Sequence, residues 1–223
     1  VAFVINDKAY IGLGSSLDDS SETGDSIRFH DDFYVYDSKL QVWESETIKF
    51  PGEARAKAVA FSINGKGYVG TGYSDKQGQF ADFYEFDPET GWIPSTSIPR
   101  ARSGACAFVA NGYGYVCFGE GAKDIQKFDP ESQSWKSQSI CYERSDTARL
   151  PLDPFSSFVL NKKGQDFVFT SKNWGYNPGE NVWKQLDYPV FGEYMFTIGE
   201  QGLSMQGQEN RGGFSAKIFK VTK

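Results

Sequence analysis

The sequence predicts an all-β fold assembled from repeated four-stranded antiparallel units. The first sign is repetition. AFVINDKAYIGLG (2–14), AFSINGKGYVGTG (60–72) and AFVANGYGYVCFG (107–119) share one pattern with a period near about 47 residues. SFVLNKKGQDFVFTS (157–171) keeps it with a longer turn, and MFTIGEQGLSMQG (195–207) is a worn copy. The second sign is an aromatic-then-turn segment after each of the first four: YDSKLQVW (36–43), FDPETGW (86–92), FDPESQSW (128–135) and YNPGENVW (176–183). The third is that no stretch keeps an apolar spacing of three to four residues, as an amphipathic helix would.

Each element follows from local chemistry. AVAFSI, Asn64-Gly65 and GYVGTG make a two-residue hairpin, because Asn-Gly accepts the positive φ angles of a type I′ turn. DFYEFD alternates polar and aromatic residues, as a half-buried strand does. Asp87-Pro88-Glu89-Thr90-Gly91 reads as a turn, and a last strand carries Trp92. Four strands, A to D, thus make one meander. Such a unit cannot bury both faces alone, so the expected architecture is a β-propeller in which the units pack face to face as blades. Residues 1–223 read as a single domain with repeats near 1–52, 53–99, 100–149, 150–189 and 190–223. The chain opens inside a strand and its last segment, AKIFKVTK (216–223), fits a C strand, so a longer parent of six or seven blades is expected.

Composition narrows the function. Aromatics are 16% of the 223 residues and Gly contributes 24, too aromatic for disorder and too rich in Gly for a helical bundle. A net charge of -6 argues against nucleic acid or an anionic membrane as partner. No apolar run approaches the ~20 residues of a membrane span. VAFVINDKAY shows no signal peptide. Three cysteines do not form a disulfide framework, and with a single histidine no metal and no cofactor is expected. Oligomeric state is left open. The few cysteines and acidic balance lean toward an extracytoplasmic setting, though they also suit a cytosolic adaptor.

At these residues the chain resembles the Kelch repeat, whose pattern is a hydrophobic strand, a strand ending in paired glycines, and a spaced Tyr and Trp. The paired glycine stands as Gly12-Leu-Gly14 and Gly70-Thr-Gly72 but degrades to Cys117-Phe-Gly119 and Phe169-Thr-Ser171. The resemblance implies a galactose-oxidase-like propeller. It does not imply that enzyme's copper chemistry, which needs two His ligands where this chain has only His30. It also brings in the Kelch-type sialic-acid mutarotases as sugar-active relatives.

Strand order places the B–C and D–A connections at one end of the blades and the tight A–B and C–D turns at the other. The long connections, including 15–31, 74–81 and 141–154, make their end the expected functional face. Arg55 and Arg102 each stand five residues before an A-strand alanine, with Arg144 and Arg149 in the next such connection. An arginine ring gripping a carboxylate is one reading; arginines tying blades together is the favoured one. Arg28, His30, Tyr73 and Trp174 complete the binding candidates, with Tyr73, Phe80 and Trp174 taken as exposed loop aromatics. Asp18, Asp19, Glu22 and Asp25 match no calcium loop. Asp37, Asp87 and Asp129 are read as turn formers. Cys106 and Cys117 should lie opposite one another as buried free thiols. With no catalytic residue set visible, the expected function is a non-enzymatic binding or scaffolding module for a protein or carbohydrate ligand. A sugar-active enzyme like the N-acetylneuraminate mutarotases is the alternative.

Overall fold

The computed structural model describes residues 1–17, 27–138, 141–142, 157–162, 164–170, 174–185, 194–198, 201–209 and 213–221. It is an all-β propeller of four-stranded antiparallel blades. Blade 1 pairs Ala2–Ile5, Lys8–Gly12 and Asp32–Asp37 with a split edge, Val42–Trp43 and Ile48–Lys49. Blade 2 is Val59–Ile63, Lys66–Gly70, Phe83–Asp87 and Gly91–Ser95, and blade 3 is Cys106–Ala110, Tyr113–Cys117, Ile125–Asp129 and Ser134–Gln138. Blade 4 is Ser157–Lys162, Gln165–Thr170, Trp174–Asn177 and Val182–Gln185, extended by Cys141–Tyr142 in parallel register. Cys141, expected in a connection, therefore begins an edge strand. Tyr194–Ile198, Gln201–Glu209 and Gly213–Val221 make a three-stranded sheet.

The chain forms two compact units. The first is Val1–Gly104 with Glu120–Ala122 and Gln133–Trp135; the second is Ala105–Gly119, Lys123–Ser132 and Lys136–Lys223. In the first, the inward face of blade 1 (Phe3, Tyr10, Phe33, Phe50) packs on the facing side of blade 2 (Val69, Phe86, Tyr84, Trp92). In the second, Phe108, Tyr115 and Phe118 of blade 3 pack on Val168, Tyr176 and Trp183 of blade 4. The sequence pattern shows up as a cross-strand ring pair in the A–B hairpins of blades 1 to 3. Phe3–Tyr10 stacks at 5.0 Å, Phe61–Tyr68 at 5.4 Å and Phe108–Tyr115 at 5.1 Å.

The turns are built as their residues require. Asn64 and Gly65 take φ of 53° and 76°, and Asn111 and Gly112 take 50° and 76°. The Asp37, Asp87 and Asp129 carboxylates each accept backbone N–H groups two or three residues on, at 2.8–3.4 Å. Cys106 faces Cys117 in the ladder; both are buried and free, and burial pushes the Cys106 thiol up to about 12.

The degraded glycines have a packing reason. A Cβ on Gly12 or Gly70 would run into the ring of its ladder partner, Phe33 or Phe83, and into the backbone oxygen of the preceding residue, Asp32 or Asp82. In blade 3 the partner of Cys117 is Ile125, and in blade 4 the partner of Phe169 is Gly175. Where the ring opposite is gone or redirected, a side chain fits. Gly70→Cys should therefore lower stability by about 1–3 kcal/mol in urea unfolding. Adding Phe83→Ile should return part of that loss, which a double-mutant cycle reads as coupling.

A buried polar network holds the tight-turn end of blade 2. Glu85, 4% exposed, accepts from Lys66 Nζ at 2.5 Å, Tyr68 Oη at 2.8 Å and Gln133 Nε2 at 3.1 Å, while Ser95 Oγ donates to Gln133 at 3.1 Å. Burial alone would raise the Glu85 carboxyl, but the Lys66 and Tyr68 hydrogen bonds outweigh it and the net shift is downward. Burial and the bond to Glu85 push Tyr68 up to about 12. The folded state thus holds the Tyr68 proton more tightly than the unfolded chain does. The Tyr68 contribution to stability should be level below pH ~10 and be lost between pH ~10 and about 12, and Tyr68→Phe should make the alkaline limb shallower.

Candidate functional site

Backbone hydrogen bonds assemble the B–C and D–A connections of the first unit at one end. The second glycine of each pair donates to the carbonyl of the arginine that opens the next blade: Gly14 to Arg55 at 2.8 Å and Gly72 to Arg102 at 2.9 Å. The same arginines donate their backbone N–H to His30 and Phe80 at 3.2 and 3.1 Å. The two junctions are equivalent atom for atom.

Arg55 is drawn inside its junction. It is fully buried, and its guanidinium holds Asp82 through two bonds of 2.5 and 2.9 Å. Nη1 also donates to the Thr71 carbonyl at 3.1 Å, and Nε to the Glu53 carbonyl at 2.8 Å. Its plane lies 3.7 Å from the Phe80 ring centre. Arg102 is buried to the same degree, and its Nε donates to the Arg100 carbonyl at 3.2 Å. Both arginines are thus buried at the blade junctions, with backbone carbonyls as partners and, for Arg55, Asp82.

The remaining candidates divide. Arg28 is exposed on a short hairpin, Ser15–Leu17 with Ile27–Phe29, inside what read as one irregular loop. His30 is half-buried with Nε2 2.9 Å from Ser16 Oγ. Tyr73 is half-buried, its ring 6.3 Å from Phe29. Trp174, expected as an exposed loop aromatic, is corrected: it begins the C strand of blade 4 and is 4% exposed in the core beside Trp183. Phe80 is likewise buried, under the Arg55 guanidinium. Arg149, Arg144 and the acidic residues Asp18, Asp19, Glu22 and Asp25 lie outside the described residues.

The structure also gathers, around the candidate Tyr73, groups that the sequence did not single out. Tyr73 and Glu120 are equivalent, each directly following the second glycine of its pair. Tyr73 bridges to Ala56 and Glu120 to Ser103, residues that directly follow the two arginines. Lys57 Nζ reaches Glu120 Oε1 at 2.9 Å, and Ser103 Oγ donates to Oε2 at 3.3 Å. Gln79 Nε2 donates to the Glu120 carbonyl at 3.0 Å. The hydrogen bond and charge of Lys57 hold the Glu120 carboxyl below its ordinary range. A hydrogen bond to Asp75 holds the Tyr73 hydroxyl above its ordinary range, and the charges of Lys57 and Glu120 reach it. An ionised carboxylate, a protonated phenol and an ammonium therefore share one surface.

No protein-family model matches the chain. It is 30% identical over 191 residues to the N-acetylneuraminate epimerase of Pasteurella multocida (strain Pm70), covering 83% of this chain and 45% of that protein. The N-acetylneuraminate epimerase of Haemophilus influenzae (strain PittEE) is 25% identical over 189 residues, covering 81% and 44%. The solved structure of YjhT superposes with a TM-score of 0.63 at 19% identity, over 93% of this chain and 72% of that one. The chain is a Kelch-type β-propeller related to the N-acetylneuraminate epimerases. It spans about half the length of the curated relatives it matches.

These matches correct the expectation of a non-enzymatic binding and scaffolding module, and with it the lean away from an enzyme, because the relatives are epimerases. Groups that converge in the fold need not be neighbours in the sequence. Lys57 and Glu120 are 63 residues apart in the chain and meet only in the fold. Among the described residues no group of His, Cys, Asp and Glu is arranged to hold a metal ion, and no helix is long and apolar enough to cross a membrane.

Removing the Arg55 side chain should leave Asp82 and the Thr71 carbonyl without their partner. Arg55→Ala should cost about 3–5 kcal/mol, seen as a lower urea midpoint. Arg55→Lys should recover little of it, since an ammonium cannot make the two-pronged bond.

Proposed function

We propose that the whole protein is a sugar-active epimerase for N-acetylneuraminate or a closely similar acidic sugar, with the B–C and D–A end of the blades as its sugar-binding side. The observation that carries this reading is the 30% identity to the Pasteurella multocida enzyme across 83% of the chain.

Inverting the anomeric centre of a cyclic keto sugar needs two proton transfers and no co-reactant. A base takes the proton of the anomeric hydroxyl while an acid protonates the ring oxygen. The ring C–O bond breaks, a carbonyl forms, and closure on the opposite face reverses both transfers. Glu120, kept ionised by Lys57, suits the base role, and Tyr73, kept protonated, suits the acid role. Arg28 and Lys57 are exposed cations within reach of this end, suited to the sugar carboxylate, and the Phe29–Tyr73 ring pair, set edge to face, offers an apolar contact for the sugar body. His30, beside Ser16, stands at the edge of the same surface. Arg149 belongs to the proposal by its connection in the sequence alone. An extracytoplasmic setting is part of the same proposal, open to cell fractionation.

The test is NMR exchange spectroscopy of N-acetylneuraminate anomers with the full-length protein. The expected result is accelerated exchange, slowed about 10²-fold or more by Glu120→Gln and by Tyr73→Phe. Arg28→Ala should raise KM with kcat little changed. No acceleration by the wild-type protein would end the functional reading. Acceleration untouched by the Glu120 and Tyr73 changes would keep the activity and reject these residues.

A further inference from the structure

The opposite end of the first unit carries a cavity of about 380 Å³ that the loop-end chemistry does not use. Its origin can be read by comparing equivalent positions in successive blades. At the tight-turn end of blade 2, Tyr68 faces Glu85 in the ladder, and Gln133, four residues after the turn Asp129, closes the space above them. At the same place in blade 1, Tyr10 faces Val35, and the residue four after the turn Asp87 of blade 2 is Gly91. Both polar members of the network are thus lost together. A Cβ built on Gly91 would meet nothing within 4 Å. The cavity lies over Val35, where no side chain of the size of Glu85 stands.

What lines that volume is not neutral. Tyr10 and Phe86, whose rings meet edge-on at 5.0 Å, form an apolar floor with Val35. The rim holds Lys8, bonded to Glu44 at 2.5 Å, and Lys39, bonded to Asp7 at 2.6 Å, with Asp37 as a third carboxylate. Two ammonium groups stand against three carboxylates, so the rim favours a cation. The volume lies within the ~300–1,000 Å³ range of small-molecule sites. We propose that this cavity is a binding site for a small organic ammonium, its charged head at the carboxylate-rich rim and its apolar body on the Tyr10–Phe86 floor.

Phenethylammonium is a suitable probe, and 3-phenylpropionate is its charge-reversed counterpart with a similar body. Saturation-transfer NMR and calorimetry on the full-length protein should show saturable millimolar binding of the first and at least tenfold weaker binding of the second. The double change Val35→Glu with Gly91→Gln copies the Glu85–Gln133 arrangement into blade 1 and should abolish binding while the protein stays folded. Gln133 shows that the turn accepts a side chain, since its own φ is 50°. Glu44→Lys at the exposed rim, which does not touch the core, should reverse the preference between the probes. No saturable binding, equal binding of both probes, survival of binding in a folded refilled variant, or an unchanged preference with Glu44→Lys would each overturn the proposal.

Discussion

The hydrogen bond from the second glycine of the pair to the next arginine's carbonyl fixes each blade junction in the first unit. It can form only because the chain leaves strand B through two successive left-handed residues. Leu13 and Gly14 take φ of 57° and 106°, and Thr71 and Gly72 take 58° and 105°. At Gly72 a Cβ would also fall 2.8 Å from the Ala56 carbonyl oxygen. Thr71 is β-branched and has no intrinsic reason to adopt positive φ. It is held there by its own backbone, donating to the Asp82 carbonyl at 3.1 Å and accepting from Arg55. Glycine, strained residue and buried arginine therefore form one device. The guanidinium fills space between blades and satisfies carbonyls that the tight exit would otherwise leave unpaired, at about 1–3 kcal/mol for each group so rescued.

That device decides where ligand chemistry has to be sought. A guanidinium that is fully buried and spends its two-pronged face on Asp82 has no geometry left for a sugar carboxylate. The residues one or two steps further along the chain on each side of the junction include the ones that reach the surface. Lys57, Tyr73 and Glu120 occupy such steps, and they carry both signs of charge and a proton donor. The junction is the rigid frame, and its immediate neighbours are the variable positions. This is the division of labour expected where loops are mounted on a packed scaffold.

Local rules made much of this legible in the sequence. Asn-Gly turns, the Asp turn series and the opposition of Cys106 and Cys117 depend on spacing within one hairpin, and all three are found. Long-range partners were not legible. Arg55 meets Asp82 across 27 residues and Lys57 meets Glu120 across 63, with no spacing rule to announce either. Trp174 and Phe80 were misread for a related reason. Each follows a loop-like, polar stretch, and only the position of the next blade or of Arg55 shows that the ring turns inward. Sequence patterning found the frame because the frame repeats. The candidate site does not repeat, so pattern could not reveal it.

Departures from the repeat carry information of two kinds, and a magnitude separates them. In one kind a change at one position is met by its partner: Gly opposite Phe becomes Cys opposite Ile, and packing is kept. In the other, both partners shrink together, as Val35 and Gly91 do where Glu85 and Gln133 stand one blade on. A sealed, dry void of about 380 Å³ would cost about 9 kcal/mol at ~24 cal/mol per Å³, comparable with the ~5–15 kcal/mol that holds a whole domain together. A blade junction could not carry that penalty. The space is compatible with a folded protein because it opens to solvent and has a charged rim. Joint loss of size at a junction that elsewhere is tightly filled is then tolerable without being advantageous to packing. Its retention has to be sought in what enters the space, since nothing in the fold gains from leaving it open.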